Sequence, residues 1–170
     1  LETDEFTTQK LSNILDTTFI DYVKSDVPIG SFLSGGVDSP LVNAILSKSG
    51  YKMNAFTIST NFLGINESKN ARKISKHLGI NHKIESLPGE KIKTMIDEQF
   101  SAFSEPFSDY SSIPTYILCK EASKYFKVLL SGDGADELFW GYPRFLSVID
   151  YKYWFTFPRY FRMKWAGLLR

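Results

Sequence analysis

Two hydrophobic patterns take turns along this chain. One recurs at helical spacing, the other comes as short unbroken apolar runs. Phe6, Leu11, Ile14, Leu15, Thr18, Phe19, Tyr22 and Val23 fall on a helical period and predict a helix over 6–25. The run from Val27 to Leu33 predicts a buried strand. Residues 39–48 return to an amphipathic helix, with Pro40 in the first turn, where a missing N–H costs nothing, and Gly50 as its stop. Met53–Ile58 predicts a second strand, and Glu67–Leu78 a helix ending at Gly79. Lys83–Leu87 predicts a third strand, closed by Pro88-Gly89. A helix over 91–103 carries Ile92, Met95, Ile96 and Phe100 on one face. Pro114–Tyr125 predicts a further helix and Lys127–Ser131 a fourth strand.

Strands that alternate with helices imply an α/β fold, a doubly wound and mostly parallel sheet with helices on both faces. In such sheets ligands bind beyond the carboxyl ends of the strands. The first strand delivers Ser34-Gly35-Gly36-Val37-Asp38-Ser39 to that edge, the second Thr57-Ile58-Ser59, and the fourth Ser131-Gly132-Asp133-Gly134-Ala135-Asp136-Glu137.

The first of these loops suits an anion. Adjacent glycines let backbone N–H groups approach a phosphate with no Cβ in the way, and the helix start adds free donors and a positive dipole end. Ser34 and Ser39 supply hydroxyls. Asp38 would repel a bare polyphosphate and makes sense if Mg²⁺ lies between them. The loop is no Walker A motif, since it has no lysine, and it lacks the third glycine of the dinucleotide fingerprint. The plain alternative is a glycine turn capped by serine. For the second block it is an Asp-Gly turn before an acidic helix start, where carboxylates favour the dipole. Their arrival at one sheet edge favours a site, with Asp38 and Asp136 holding Mg²⁺ from two sides.

Composition narrows the function without naming it. The 170 residues suit one core, and 43% apolar residues is ordinary for a globular protein. A net charge of +1 argues against a general nucleic-acid binder. No apolar run approaches the roughly 20 residues of a membrane span. The amino end Leu1-Glu2-Thr3-Asp4-Glu5 has no signal-peptide character, and a single cysteine rules out internal disulfides, so a cytoplasmic setting is expected. Cys119 reads as a small buried hydrophobe in a helix, and His77 and His82 as surface or turn residues without metal-site spacing. Residues 1–26 read as a helical lead-in, 27–145 as the ligand-binding domain, and 146–170 as a helical part rich in aromatic and basic residues up to Arg170. That tail suits packing against further protein better than a membrane surface or nucleic acid.

Both blocks, in this order, resemble the synthetase domain of glutamine-hydrolysing asparagine synthetases, members of the PP-loop ATP pyrophosphatase superfamily with an adenine nucleotide alpha-hydrolase-like fold. Supporting stretches are Ser25–Leu33, Phe56-Thr57-Ile58, Glu67–Gly79, Glu105-Pro106-Phe107-Ser108-Asp109, Ile113–Tyr116, Leu130–Phe139 and Gly141-Tyr142. The resemblance implies ATP-dependent amide formation: aspartate's β-carboxylate is adenylated, pyrophosphate leaves, and ammonia attacks. It implies that Ser34, Gly35, Gly36 and Ser39 contact pyrophosphate and that Asp38 and Asp136 ligate Mg²⁺. Leu33, Ile58, Ser131 and Gly132 would touch ATP, the adenosine contacts running through backbone atoms, and Asp133 would assist the ammonia step. Expected partners are ATP, the carboxylate substrate, ammonia from a glutaminase domain absent from these residues, and a second copy in the full-length parent. The chain departs from the family at Pro40, in place of a common serine, and at Trp140, in place of a common glycine. Glu67 is expected to be a first-turn carboxylate of its helix, and Asp109, Ser111 and Ser112 are candidates for reading the substrate. Relatives that build β-lactams, peptides or sugar amides keep another carboxylate open as the acceptor, and a non-catalytic nucleotide-binding module is the third reading.

Overall fold

The computed structural model describes residues 4–59, 66–105, 109 and 111–168. Residues 106–108 of the fourth supporting stretch, and Arg170 of the tail, lie outside the described residues. The chain forms two compact units, residues 1–132 and 133–170.

The first unit runs α1 (Asp4–Tyr22), β1 (Ile29–Phe32), α2 (Asp38–Lys48), β2 (Asn54–Ser59), α3 (Ser68–Leu78), β3 (Asn81–Ser86), α4 (Gly89–Ser101), α5 (Ser112–Ala122) and β4 (Val128–Leu130). The strands form one sheet in the order β3-β2-β1-β4, every neighbouring pair parallel. The chain steps outward from β1 to β2 and β3, then returns to the far side of β1 as β4. That reversal puts a topological switch point between β1 and β4, where an open α/β sheet binds its ligand.

Strand alternation sorts the side chains into two layers. On one face Leu33 and Ala55 pack with Ala71, and Val42, Leu46 and Met53 form an adjoining cluster that Phe19, Val23 and Leu130 extend. On the other face Leu87, Ile92, Met95 and Ile117 pack with Ile58 and Ile113. Gly30 faces Phe126: a Cβ there would sit 2.9 Å from the ring, so only glycine lets the chain leaving α5 lie on β1. The doubly wound fold expected from the alternation is the fold observed.

Buried polar groups tie α4 to α5. The Glu121 side chain is 1% exposed and meets Lys91 at 2.9 Å, with Lys124 on its other oxygen. Burial pushes its carboxyl up, but the bonds from Lys124 and Lys91 outweigh that and hold it below the usual range. Gln99 donates to Ser112 Oγ at 3.0 Å, and both residues are buried.

Three expectations need correction. Cys119 is exposed. The inward face of α5 carries Ser112, Ile117 and Glu121, and two steps along a helix from Ile117 turn a side chain about 200° away. Phe100 is 64% exposed while its neighbour Gln99 is buried, because α4 points Ile92, Met95 and Gln99 inward. His82 is not at the surface: it lies half-buried on β3, paired with Ala55 of β2.

The second unit comprises α6 (Ala135–Phe139), α7 (Pro143–Asp150), α8 (Lys152–Thr156) and α9 (Arg159–Leu168). Its rings stay near the surface and contact one another, as in Trp154 with Phe157 and Tyr160 with Phe161. Trp140 ends α6 with φ at +59°, the left-handed region that glycine adopts without strain, which fits the glycine that the family resemblance implies here.

Candidate active site at the switch point

Residues 33–39 leave β1 and turn into α2, which starts at Asp38. Buried side chains fix that exit. Asn43, fully buried on α2, accepts from Ser31 Oγ at 2.6 Å and donates to the carbonyls of Phe32 at 3.2 Å and Ser39 at 2.8 Å. One side chain therefore ties the end of β1 to the first turn of α2. Leu33 N–H donates to Phe56 O at 3.0 Å, and Leu33 O accepts from the Thr57 hydroxyl. Both polar backbone groups of Leu33 are thus engaged within the protein.

The loop's three successive N–H groups converge on side-chain oxygens. Ser34 N–H donates to Ser39 Oγ at 2.8 Å, Gly35 N–H to Glu67 Oε2 at 3.1 Å, and Gly36 N–H to Ser34 Oγ at 3.1 Å. The hydroxyls of Ser34 and Ser39 lie 2.9 Å apart. Glu67 precedes α3 and makes no capping bond to it. The first-turn role expected for it gives way to a bond across to the loop. Gly35 seats close on α3, since a Cβ there would lie 3.0 Å from Asn70 Cβ and 3.4 Å from Glu67 Cβ.

Gly132, just past β4, completes the arrangement. A Cβ on it would sit 2.7 Å from Ser39 N and 2.9 Å from Asp38 Cβ. The two sequence blocks, about a hundred residues apart, therefore meet with no room for a side chain at Gly132. Ser131 beside it is half-buried. Asp38 is exposed on the first turn of α2, and its carboxylate forms no hydrogen bond or ion pair among the described residues. Ile58 turns its side chain into the apolar cluster with Leu87, Ile92, Met95 and Ile117, and its expected nucleotide contact runs through backbone atoms.

In the second unit Asp133 is exposed and Asp136 is half-buried in the first turn of α6. A Cβ on Gly141 would fall 1.8 Å from Asp136 Oδ1, so any larger residue there would displace that carboxylate. Tyr142 donates to Glu137 at 2.5 Å, which holds the Glu137 carboxyl below its usual range. Among the described residues no group of three or more His, Cys, Asp or Glu could hold a metal by itself. No described helix is long and apolar enough to cross a membrane.

Of the substrate-reading candidates, Asp109 accepts from Ser111, which holds its carboxyl below the usual range, and Ser112 Oγ donates to Asp109 O at 2.6 Å. These are local turn bonds. Sequence reasoning missed Asn43 and His82. Asn43 carried a signal, a polar residue on the apolar inward face of its helix. His82 bridges Thr57 Oγ1 at 2.8 Å and Ser75 Oγ at 2.9 Å, a pairing of three elements that no local pattern announces.

The asparagine synthase family profile matches residues 10–169. The chain is 32% identical over 151 residues to asparagine synthetase [glutamine-hydrolyzing] 1 of Bacillus subtilis, covering 89% of this chain and 24% of that protein. It is 27% identical to asparagine synthetase B [glutamine-hydrolyzing] of Escherichia coli, covering 80% of this chain and 27% of that protein. The chain thus spans about a quarter of the length of these curated relatives. Its fold is similar to that of a glutamine-dependent NAD+ synthetase from Acinetobacter baumannii in complex with ADP, with a TM-score of 0.53, 22% identity, and coverage of 75% of this chain and 26% of that one.

Proposed function

This chain belongs to the asparagine synthase family, and from that premise we propose that it binds ATP and serves the joining of ammonia to aspartate through an acyl-adenylate. In this reaction the β-carboxylate attacks the α-phosphorus of ATP, and pyrophosphate leaves. Ammonia then attacks the acyl carbon and AMP departs. Ammonia released from glutamine is the proposed nitrogen source, as the names of the relatives suggest. The observation that carries the reading is the seating of Gly132 on Ser39 and Asp38 at the switch point.

Catalysis of this kind rests on positioning and on neutralising charge. The N–H groups of Ser34, Gly35 and Gly36 and the hydroxyls of Ser34 and Ser39 are the proposed donors to the departing pyrophosphate. Backbone atoms of Leu33, Ile58 and Gly132, together with Ser131, are the proposed contacts to the rest of ATP. Asp133 is the proposed acceptor of a proton from the attacking nitrogen. Asp38 fits a magnesium ligand: it is an exposed carboxylate without a protein partner, and Mg²⁺ binds through one or two carboxylates plus substrate phosphates. Asp136 of the second unit is the proposed companion ligand on motif grounds. Bound there, Mg²⁺ would neutralise charge on the leaving group. Residues 27–145 are the proposed nucleotide-binding domain, with 1–26 as its lead-in and 146–170 as a distinct helical part.

Calorimetry of Mg-ATP on the full chain tests this. Gly132→Ala places a methyl 2.7 Å from Ser39 N and must shift the loop, so binding should weaken at least tenfold, about 1.4 kcal/mol. Asp38→Ala should abolish the Mg²⁺ dependence of binding. Carboxylate-dependent exchange of labelled pyrophosphate into ATP, run with aspartate and a panel of other acids, identifies the acceptor. A folded chain that binds no nucleotide would sink the reading.

A further inference from the structure

We propose that Glu67 is a built-in occupant of the anion cradle, holding the Gly35 N–H until a polyanion displaces it and so setting which anions the loop accepts. The inference rests on the reading that residues 34–39 receive pyrophosphate.

The three acceptors now on the loop are not equivalent. Ser34 N–H and Gly36 N–H bond to hydroxyl oxygens, those of Ser39 and Ser34. A hydroxyl both donates and accepts, so each can rotate to offer its proton to an incoming phosphate oxygen. Gly35 N–H bonds to the Glu67 carboxylate at 3.1 Å. An ionised carboxylate only accepts. It has nothing to give a phosphate except repulsion, so it must swing away before Gly35 can contact the ligand.

The contact is built by tertiary structure. Glu67 lies 32 positions from Gly35 in sequence. It reaches the loop because Gly35 packs directly over Glu67 and Asn70 at the start of α3. Its carboxylate caps no N–H of its own helix. Both partners are solvent-accessible, so displacement does not strand a buried charge. A weakly charged anion repays poorly for evicting a carboxylate. Pyrophosphate carries more charge and can engage several donors at once. Glu67 therefore biases the cradle against monophosphate and towards the diphosphate unit.

The test uses ¹⁵N-labelled full chain, with the Gly35 amide followed by NMR at constant ionic strength and fixed Mg²⁺. Pyrophosphate and inorganic phosphate are titrated separately into wild type, Glu67→Gln and Glu67→Ala. In both variants the free-state Gly35 resonance should move. Phosphate binding should tighten roughly three- to tenfold, the range for losing one exposed charge-assisted competitor, and the preference for pyrophosphate should narrow. If a variant loses its fold, Glu67→Asp, with its shorter reach and retained charge, gives the same comparison through the Gly35 resonance. Variants that bind both anions no better than wild type, or a Gly35 resonance that stays put, overturn the proposal and leave Glu67 as a clamp on the loop. A folded wild type that binds neither pyrophosphate nor Mg-ATP would instead remove the nucleotide reading on which this one rests.

Discussion

Replacing Asn43 with alanine removes the tie between β1 and α2. Asn43 and Ser31 are both fully buried, and the Ser31 hydroxyl donates to Asn43 Oδ1 at 2.6 Å. The substitution leaves that hydroxyl without its acceptor. It also takes a donor from Phe32 O and a second donor from Ser39 O. One stranded buried hydroxyl costs about 1–3 kcal/mol, and the vacated side-chain volume adds to it. Ser39 O keeps its helical donor and adds little. The expected loss is about 2–4 kcal/mol, which for a chain of this size lowers the Tm by roughly 10 °C. Thermal and urea unfolding followed by circular dichroism read it directly. Ser31→Ala in the same background removes the stranded hydroxyl, so the double variant should recover about 1 kcal/mol relative to the sum of the singles. An Asn43→Ala chain within about 0.5 kcal/mol of wild type, or strictly additive singles, would refute the reasoning.

The pH dependence of stability should carry a His82 component. Burial, and then the positive charge of Arg72, lowers the His82 pKa from its usual 6.5. The unfolded chain therefore takes up this proton more readily than the folded one, so stability falls as pH drops below about 6.5, until the folded imidazole is itself protonated. Urea midpoints at pH 7.5 and 5.5 should converge in His82→Gln, and an unchanged pH slope would remove the assignment. At Trp140 the left-handed backbone should invert the usual order of glycine and alanine. Both Trp140→Gly and Trp140→Ala lose the ring contact with Phe145 at 5.3 Å, but only glycine is unstrained at φ +59°. The glycine variant should be the more stable by about 0.5–1 kcal/mol in thermal unfolding, and an alanine variant of equal or greater stability argues against strain there.

Much of the fold was legible because its signals are local. The short apolar run before Ser34, bounded by turn residues, reads as a buried strand, and the amphipathic run after Ser39 as a helix that packs one face. Gly79 stopped its helix where expected, with φ at +65°. Boundaries moved by a few residues: the third strand begins at Asn81 rather than Lys83, since pairing with β2 recruits polar residues that no apolar pattern marks. Phe100 and Cys119 were misplaced for a related reason. Helical period says which residues share a face, but the neighbouring element decides which face is inward.

The two glycine-rich blocks, their order, and the strand-to-helix turn that carries the first, the proposed phosphate cradle, were determined by sequence alone, because backbone freedom and hydroxyl or carboxylate chemistry belong to the residues themselves. Tertiary structure alone decided that Gly132 touches Ser39, that Asn43 welds β1 to α2, and that Glu67 occupies Gly35's donor. Such contacts depend on strand order and on distances of ångströms between segments far apart in the chain. A linear pattern holds neither quantity.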